Sequence, residues 1–165
     1  MNWRSSVTDI PVFSLVAWSG TGKTTFLEKL IPELKKRGLR VAVVKHDAHG
    51  FDIDREDKDT GRISAAGADV TAIFSGDKAA VIENRPLTAE EVVGRIKNVD
   101  VIITEGCKTG PWRKIALMRA ASGKPLPVSE EDCFAIVTDT AIQTDKPLYG
   151  LGDAAGVADL IIENL

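Results

Sequence analysis

Ala17-Trp18-Ser19-Gly20-Thr21-Gly22-Lys23-Thr24 follows an apolar run at residues 12–16 and opens a helical pattern at 25–37. A strand, a glycine-rich turn and a helix in that order are the context a phosphate-binding loop requires. Gly20 and Gly22 let the backbone curl until several N–H groups face one concavity and can donate to phosphate oxygens. The helix that starts near Lys23 adds the positive end of its dipole. Lys23 supplies a mobile cation for the β- and γ-phosphates, and the Thr24 hydroxyl is placed to ligate magnesium. Ser19, Thr21 and Thr25 complete the loop, Thr25 within reach of an α-phosphate. The pattern ordinarily begins with Gly, and Ala17 departs from it; alanine is small enough if this position avoids positive φ. An ordinary glycine turn before an amphipathic helix would not need Lys-Thr-Thr. The ligand class is a nucleoside triphosphate with magnesium.

Outward from the loop, strands and helices alternate. Residues 25–37 place Phe26, Leu27, Leu30, Ile31 and Leu34 on one face, with Pro32 inside and Gly38 as a stop signal. Residues 39–45 read as a second strand. The polar stretch 46–59 has no clear period, and a loop of that length in a compact domain is usually functional or mobile. A short helix at 60–67, strands at 70–74 and 79–82, and a helix at 88–96 with Thr88 and Glu91 at capping-box spacing come next. Apolar strands at 99–104, 115–118 and 134–137 and a closing helix at 153–165 complete the pattern. The expected fold is α/β: a mainly parallel sheet with helices on both faces, a P-loop NTPase fold. The 165 residues read as a short N-terminal extension at 1–9 and one nucleotide-binding domain at 10–165.

Composition narrows the function. A net charge of −3 argues against a nucleic-acid binder that works by bulk charge. No apolar run approaches the roughly 18 residues that span a membrane, and residues 1–9, with a single Arg4, do not read as a secretory signal. Cys107 and Cys133 form no Cys-x-x-Cys pair, fit a reduced, cytoplasmic setting, and are expected to pack as small apolar residues.

Three further constellations carry chemistry. Val101-Ile102-Ile103-Thr104-Glu105-Gly106 delivers an acid at the end of a buried strand, the Walker B logic by which Glu105 holds magnesium or one of its waters. Asp47 follows the second strand at the same sheet edge, as a candidate magnesium contact or water-positioning group. Arg62 is a candidate phosphate contact or a helix-surface ion pair. His46, His49 and Cys107 are a weak metal signal, and Asp52, Asp54, Asp57 and Asp59 lack the glycine and terminal Glu of an EF-hand. Asp139, after Val137-Thr138, stands where a carboxylate can accept two guanine N–H donors, or simply cap a turn. The loop at 106–112 and its basic continuation carry an exposed-looking Trp112, as a nucleotide cover, an anion contact or a packed loop residue.

Taken together, these residues resemble the molybdopterin-guanine dinucleotide biosynthesis protein B (MobB) family. The matching stretches are Trp-Ser-Gly-Thr-Gly-Lys-Thr-Thr at 18–25, Val-Lys-His-Asp-Ala-His-Gly-Phe-Asp-Ile-Asp at 44–54, Lys-Asp-Thr-Gly-Arg at 58–62, Ala-Ala-Gly-Ala at 65–68 and Thr-Glu-Gly-Cys-Lys at 104–108. The loop alone is generic; the Lys-His-Asp-Ala-His-Gly-Phe stretch in register behind it is more specific. The resemblance implies a P-loop GTP-binding accessory of molybdenum-cofactor biosynthesis. Such a protein would bind GTP and Mg2+, hydrolyse GTP slowly at best, form homodimers and assist a MobA-type nucleotidyltransferase that joins GMP to molybdopterin. It also implies that 44–62 senses the γ-phosphate or meets molybdopterin or its guanine dinucleotide.

Slow turnover also follows from the residues, since no obvious glutamine orients an attacking water and no arginine finger is assured in cis. Arg62 or Arg113 of a dimer partner are candidates for that role. Two other readings stay open: a small-molecule kinase with Asp47 as base, and a GTP-gated metallochaperone using His46, His49 and Cys107.

Overall fold

The apolar run at 12–16 is strand β1 (Val12–Val16), buried at every position. A computed structural model describes residues 7–165 apart from Ala48, Asp52, Asp54 and Glu56. Most of the expected N-terminal extension, and Asp52 and Asp54 of the acidic run, therefore lie outside the described residues. Contacts divide the chain into two units, Met1–His46 with Ala89–Leu165, and Asp47–Thr88.

In the larger unit, β1 leads through the glycine-rich loop into α1 (Lys23–Lys36) and then β2 (Val41–Lys45). After the second unit come α3 (Ala89–Arg95), β5 (Val101–Glu105), β6 (Arg113–Met118), β7 (Cys133–Thr138), the two-residue β8 (Leu148–Tyr149) and α4 (Ala154–Ile162). The sheet order is β2-β5-β1-β6-β7-β8, and each pair is parallel. Continuous apolar runs form these strands because a parallel sheet is covered on both faces.

The period of two along each strand sorts side chains between the faces. Phe13 and Leu15 of β1, Val101 and Ile103 of β5, and Ile115 and Leu117 of β6 meet Phe26, Leu27, Leu30 and Leu34 of α1 and Val157, Ala158 and Ile161 of α4. The alternate residues face the other way. Val12 and Ile102 pack with Val93 of α3 and Trp112, and Val16, Ala116 and Ile136 pack with Cys133 and Leu126. On that face Ser14 and Thr104, register partners of β1 and β5, share a buried 2.7 Å hydroxyl–hydroxyl hydrogen bond.

Helix α1 ends as its sequence dictates. Gly38 takes φ of 84°, and its N–H donates to the Lys35 carbonyl while Leu39 N–H donates to that of Leu34. At the opposite end of the sheet from the loop, Arg40 and Asp100 clip the starts of β2 and β5. Asp100 accepts from the Arg40 amide (2.7 Å) and from two guanidinium nitrogens. Those hydrogen bonds pull its carboxyl down to about 2.

The second unit holds α2 (Asp59–Ala65) and an antiparallel pair, β3 (Val70–Phe74) and β4 (Ala79–Glu83). Both strands, with a turn at 75–78 between them, are expected from the sequence; the structure adds that they pair antiparallel as a sheet of their own. The reason for that pairing is the short Ser75–Lys78 turn, closed by a 2.7 Å hydrogen bond from Ser75 N to Lys78 O. A connection that short joins antiparallel neighbours, whereas a parallel return needs a crossover.

Leu30 has no exposed surface and sits between α1 and the sheet. Leu30→Ala is expected to lower unfolding free energy by about 2–5 kcal/mol, read as a lower urea midpoint with an unchanged slope. A change below about 0.5 kcal/mol would contradict the packing described.

Candidate functional site

Because the six strands are parallel, all their C-terminal ends emerge at one edge. Across that edge stand Lys45 at the end of β2, Glu105 at the end of β5, the 17–24 loop after β1, Arg119 after β6 and Asp139 after β7. The loop follows the strand on either side of which the chain order diverges, the switch point where ligands bind in open α/β sheets.

The loop has the expected geometry. Gly20 and Gly22 take φ of 77° and 98°, a region that disfavours any side chain. Thr21 N–H donates to the Trp18 carbonyl at 3.3 Å, while the Thr21 side chain is buried. Ser19, Gly20, Thr24 and Thr25 are exposed around the concavity. Lys23 Nζ lies back over the loop, donating to the Ala17 and Trp18 carbonyls at 3.3 and 3.2 Å, the long end of the hydrogen-bond range. Burial lowers the Lys23 pKa; Glu105 opposes that shift, and the positive charges of Lys108 and Lys45 add to it. An anion in the concavity would offset both the burial and the like-charge repulsion.

Thr24 and Glu105 are brought together from 81 residues apart. Thr24 Oγ1 donates to Glu105 Oε1 at 3.2 Å, and Glu105 is 7 % exposed. Lys45 Nζ stands 3.9 Å from the same carboxylate oxygen. A hydroxyl and a carboxylate are hard oxygen donors. They suit magnesium, which is held through one or two protein oxygens and retains several waters.

Asp139 is exposed at the end of β7, and its Oδ1 accepts the Ala120 N–H at 2.7 Å. One carboxylate oxygen of Asp139 is thus engaged by the backbone that follows β6. Asp47 and Arg62 belong to the second unit. Asp47 Oδ1 accepts the His49 amide at 2.9 Å, and Arg62 makes a long 3.9 Å pair with Asp59 on exposed α2.

One expectation is corrected. Trp112 is 1 % exposed, not a surface cover. It fills the core beneath α3, and a Cβ on Gly110 would stand 2.7 Å from its ring, which explains the glycine there. Arg113 begins β6, so it lies at the sheet edge away from the loop. Its guanidinium donates to the Asn164 carbonyl and side-chain oxygens at 3.1 and 3.3 Å. Arg113 therefore does not reach the loop of its own chain.

Sequence reading found the basic stretch after Glu105 but missed Arg119. Lys108 Nζ sits 3.8 Å from the centroid of the Trp18 ring, whose N–H donates to the Pro125 carbonyl at 2.9 Å. Arg119 lies against Gly22, its Nη2 3.4 Å from where a Cβ would stand. Arg119 had no local signal, because only strand order carries it to the loop.

Fold and loop place the chain among α/β proteins with a P-loop NTPase fold. The family model described as MobB, molybdopterin guanine dinucleotide synthesis protein B, matches residues 12–139. The chain is 34% identical over 156 residues to the molybdopterin-guanine dinucleotide biosynthesis adapter protein of Haemophilus influenzae, covering 92% of this chain and 88% of that one. It is 35% identical over 164 residues to the Escherichia coli protein of the same description, covering 94% of each. The crystal structure of Bacillus subtilis MobB aligns with a TM-score of 0.76 at 24% identity, over 94% of this chain and 98% of that one, a likeness of fold. The chain belongs to the MobB family.

The metal-carrier reading gains no geometry. Among the described residues no three His, Cys, Asp or Glu side chains converge on a metal position. Cys107 and Cys133 are buried, and burial raises both thiols above their ordinary pKa. Both should therefore stay protonated at neutral pH and alkylate roughly 10-fold or more slowly than a peptide cysteine, as read by mass spectrometry after iodoacetamide pulses. Labelling of Cys107 at the peptide rate would reopen that reading.

Proposed function

We propose that this chain binds magnesium–GTP in the 17–25 loop and hydrolyses it slowly. We further propose that it serves as the adapter in molybdopterin guanine dinucleotide synthesis, beside a MobA-type nucleotidyltransferase. The observation that carries the nucleotide reading is the 3.2 Å contact of Thr24 with Glu105 beneath a loop of left-handed glycines and lysines. The names of the relatives support the pathway.

Each residue then has a task. Loop amides and the start of α1 receive the phosphates, and Lys23 leaves the Ala17 and Trp18 carbonyls for them. Thr24 and Glu105 hold the magnesium, which when bound neutralises charge on the β- and γ-phosphates. Asp139 is proposed to meet the guanine through its second oxygen. Turnover is slow because the single glutamine of the chain, Gln143, lies between β7 and β8. The 44–62 segment is proposed to meet molybdopterin or its guanine dinucleotide. An open groove of about 1040 Å³ in the second unit, lined in part by Phe51, Arg55 and Asn84, supports a second ligand there.

Homodimer formation is supported by the β3–β4 ribbon. Val70, Ile73, Phe74 and Val81 are each half or more exposed, and a two-stranded ribbon is marginal on its own.

Lys23→Ala should weaken magnesium–GTP binding about 10- to 150-fold, the cost of a lost charged contact, by calorimetric titration beside ATP. Unchanged affinity would remove the site, and equal binding of ATP and GTP would move the reading toward a kinase. For the dimer, Phe74→Asp should convert a sedimenting dimer to monomer. A wild type that stays monomeric at high micromolar concentration would end the dimer reading.

A further inference from the structure

We propose that Arg119 is a phosphate ligand supplied in cis, gripping the α–β segment of the bound polyphosphate from the nucleoside side of the loop. This rests on the nucleotide reading above and adds a residue and a direction to it.

Strand order places Arg119 there. β6 pairs with β1 in register Val16↔Ala116, so the chain leaving β6 emerges beside the loop leaving β1. β5, with Glu105, flanks β1 on the opposite side. Arg119 and Glu105 therefore bracket the loop.

The side chain follows the backbone inward. Nη2 and Cζ of Arg119 lie 3.4 and 3.7 Å from the Cβ position of Gly22, the residue that precedes α1. Glycine at that position thus serves both its φ of 98° and the close approach of a guanidinium. The Arg119 backbone is held firmly: its carbonyl accepts Ser122 N–H at 3.0 Å and Ser122 Oγ at 2.7 Å. The next amide, Ala120, is held by Asp139 at 2.7 Å.

What the guanidinium lacks is a partner. Its Nε is buried with no hydrogen bond among the described residues. No ion pair among those residues includes Arg119. A buried donor without an acceptor is costly, and this one lies against Gly22 at the positive end of α1. A multivalent anion in the loop resolves both terms at once. A planar fork of N–H donors is suited to phosphate oxygens.

The bracket also sets the direction. Thr24 and Glu105, which would hold magnesium and so set charge neutralisation at the β- and γ-phosphates, mark the β5 side. The α-phosphate and nucleoside then run toward β6 and β7, where Arg119 and Asp139 stand. Arg119 addresses groups that a diphosphate keeps, so it does not act as a finger on the γ-phosphate.

The test is calorimetric titration of the full chain and its Arg119→Gln and Arg119→Lys variants with magnesium–GTP, with GDP in EDTA, and with inorganic pyrophosphate. Arg119→Gln should weaken all three about 10- to 150-fold and by similar factors, with Arg119→Lys intermediate. Thermal unfolding without ligand should show Arg119→Gln no less stable than wild type, because it removes an unpaired cation. Should that variant unfold, Arg119→Lys alone decides by the same pattern. Loss confined to GTP would make Arg119 a γ-phosphate group and overturn the proposal. Loss for both nucleotides but not pyrophosphate would make it a base contact, and unchanged affinities would make it structural; each overturns it. The outcomes separate from the parent reading: a wild type that binds pyrophosphate without preferring GTP leaves Arg119 testable, whereas one that binds none of the three overturns both.

Discussion

Parallel pairing on both sides of β1 is the constraint from which the site follows. β1 is hydrogen-bonded to β5 on one side and β6 on the other, with Ser14 and Thr104 sharing a buried hydroxyl pair across the first seam. A single antiparallel strand in this sheet would send one functional end to the wrong edge. With every strand aligned, residues scattered from Ala17 to Asp139 surface along one line. The cost of desolvating the polar seam is offset only while Ser14 and Thr104 stay in register, so the same pair that tolerates burial also pins the alignment.

Charge is arranged along that line with a purpose. Glu105 is tied to Thr24 and approached by Lys45. Around it stand Lys23, Lys108 and Arg119, of which Lys23 rests on carbonyls and Arg119 has an unpaired buried nitrogen. The chain as a whole is acidic, at −3. The positive field is thus local, concentrated where a polyphosphate would lie, and it does not extend into a basic face of the kind nucleic-acid binders present.

The second unit is built on different terms. Its two strands are joined by a tight turn, and four large apolar side chains on them face outward. The larger unit has two packed faces and keeps its big side chains inside.

Much of this was legible along the chain. The loop, Glu105 at a strand end, the amphipathic α1 and its Gly38 stop, and the α/β class all come from local rules: glycine's access to positive φ, the two periodicities, and the burial of apolar runs. Strand positions were read to within a residue or two, except the two-residue β8, too short to carry a pattern. Tertiary structure decided the rest. Trp112 looks exposed in a Gly-Pro loop yet fills the core, because burial depends on what packs above it. Arg113 and Arg119 are both basic residues on one strand run, indistinguishable by composition. Parallel alignment sends the first to the far edge and the second to the loop. Sequence determines which residues have the chemistry for phosphate. Only the order of strands, set by side chains far apart in the chain, decides which of them reach it.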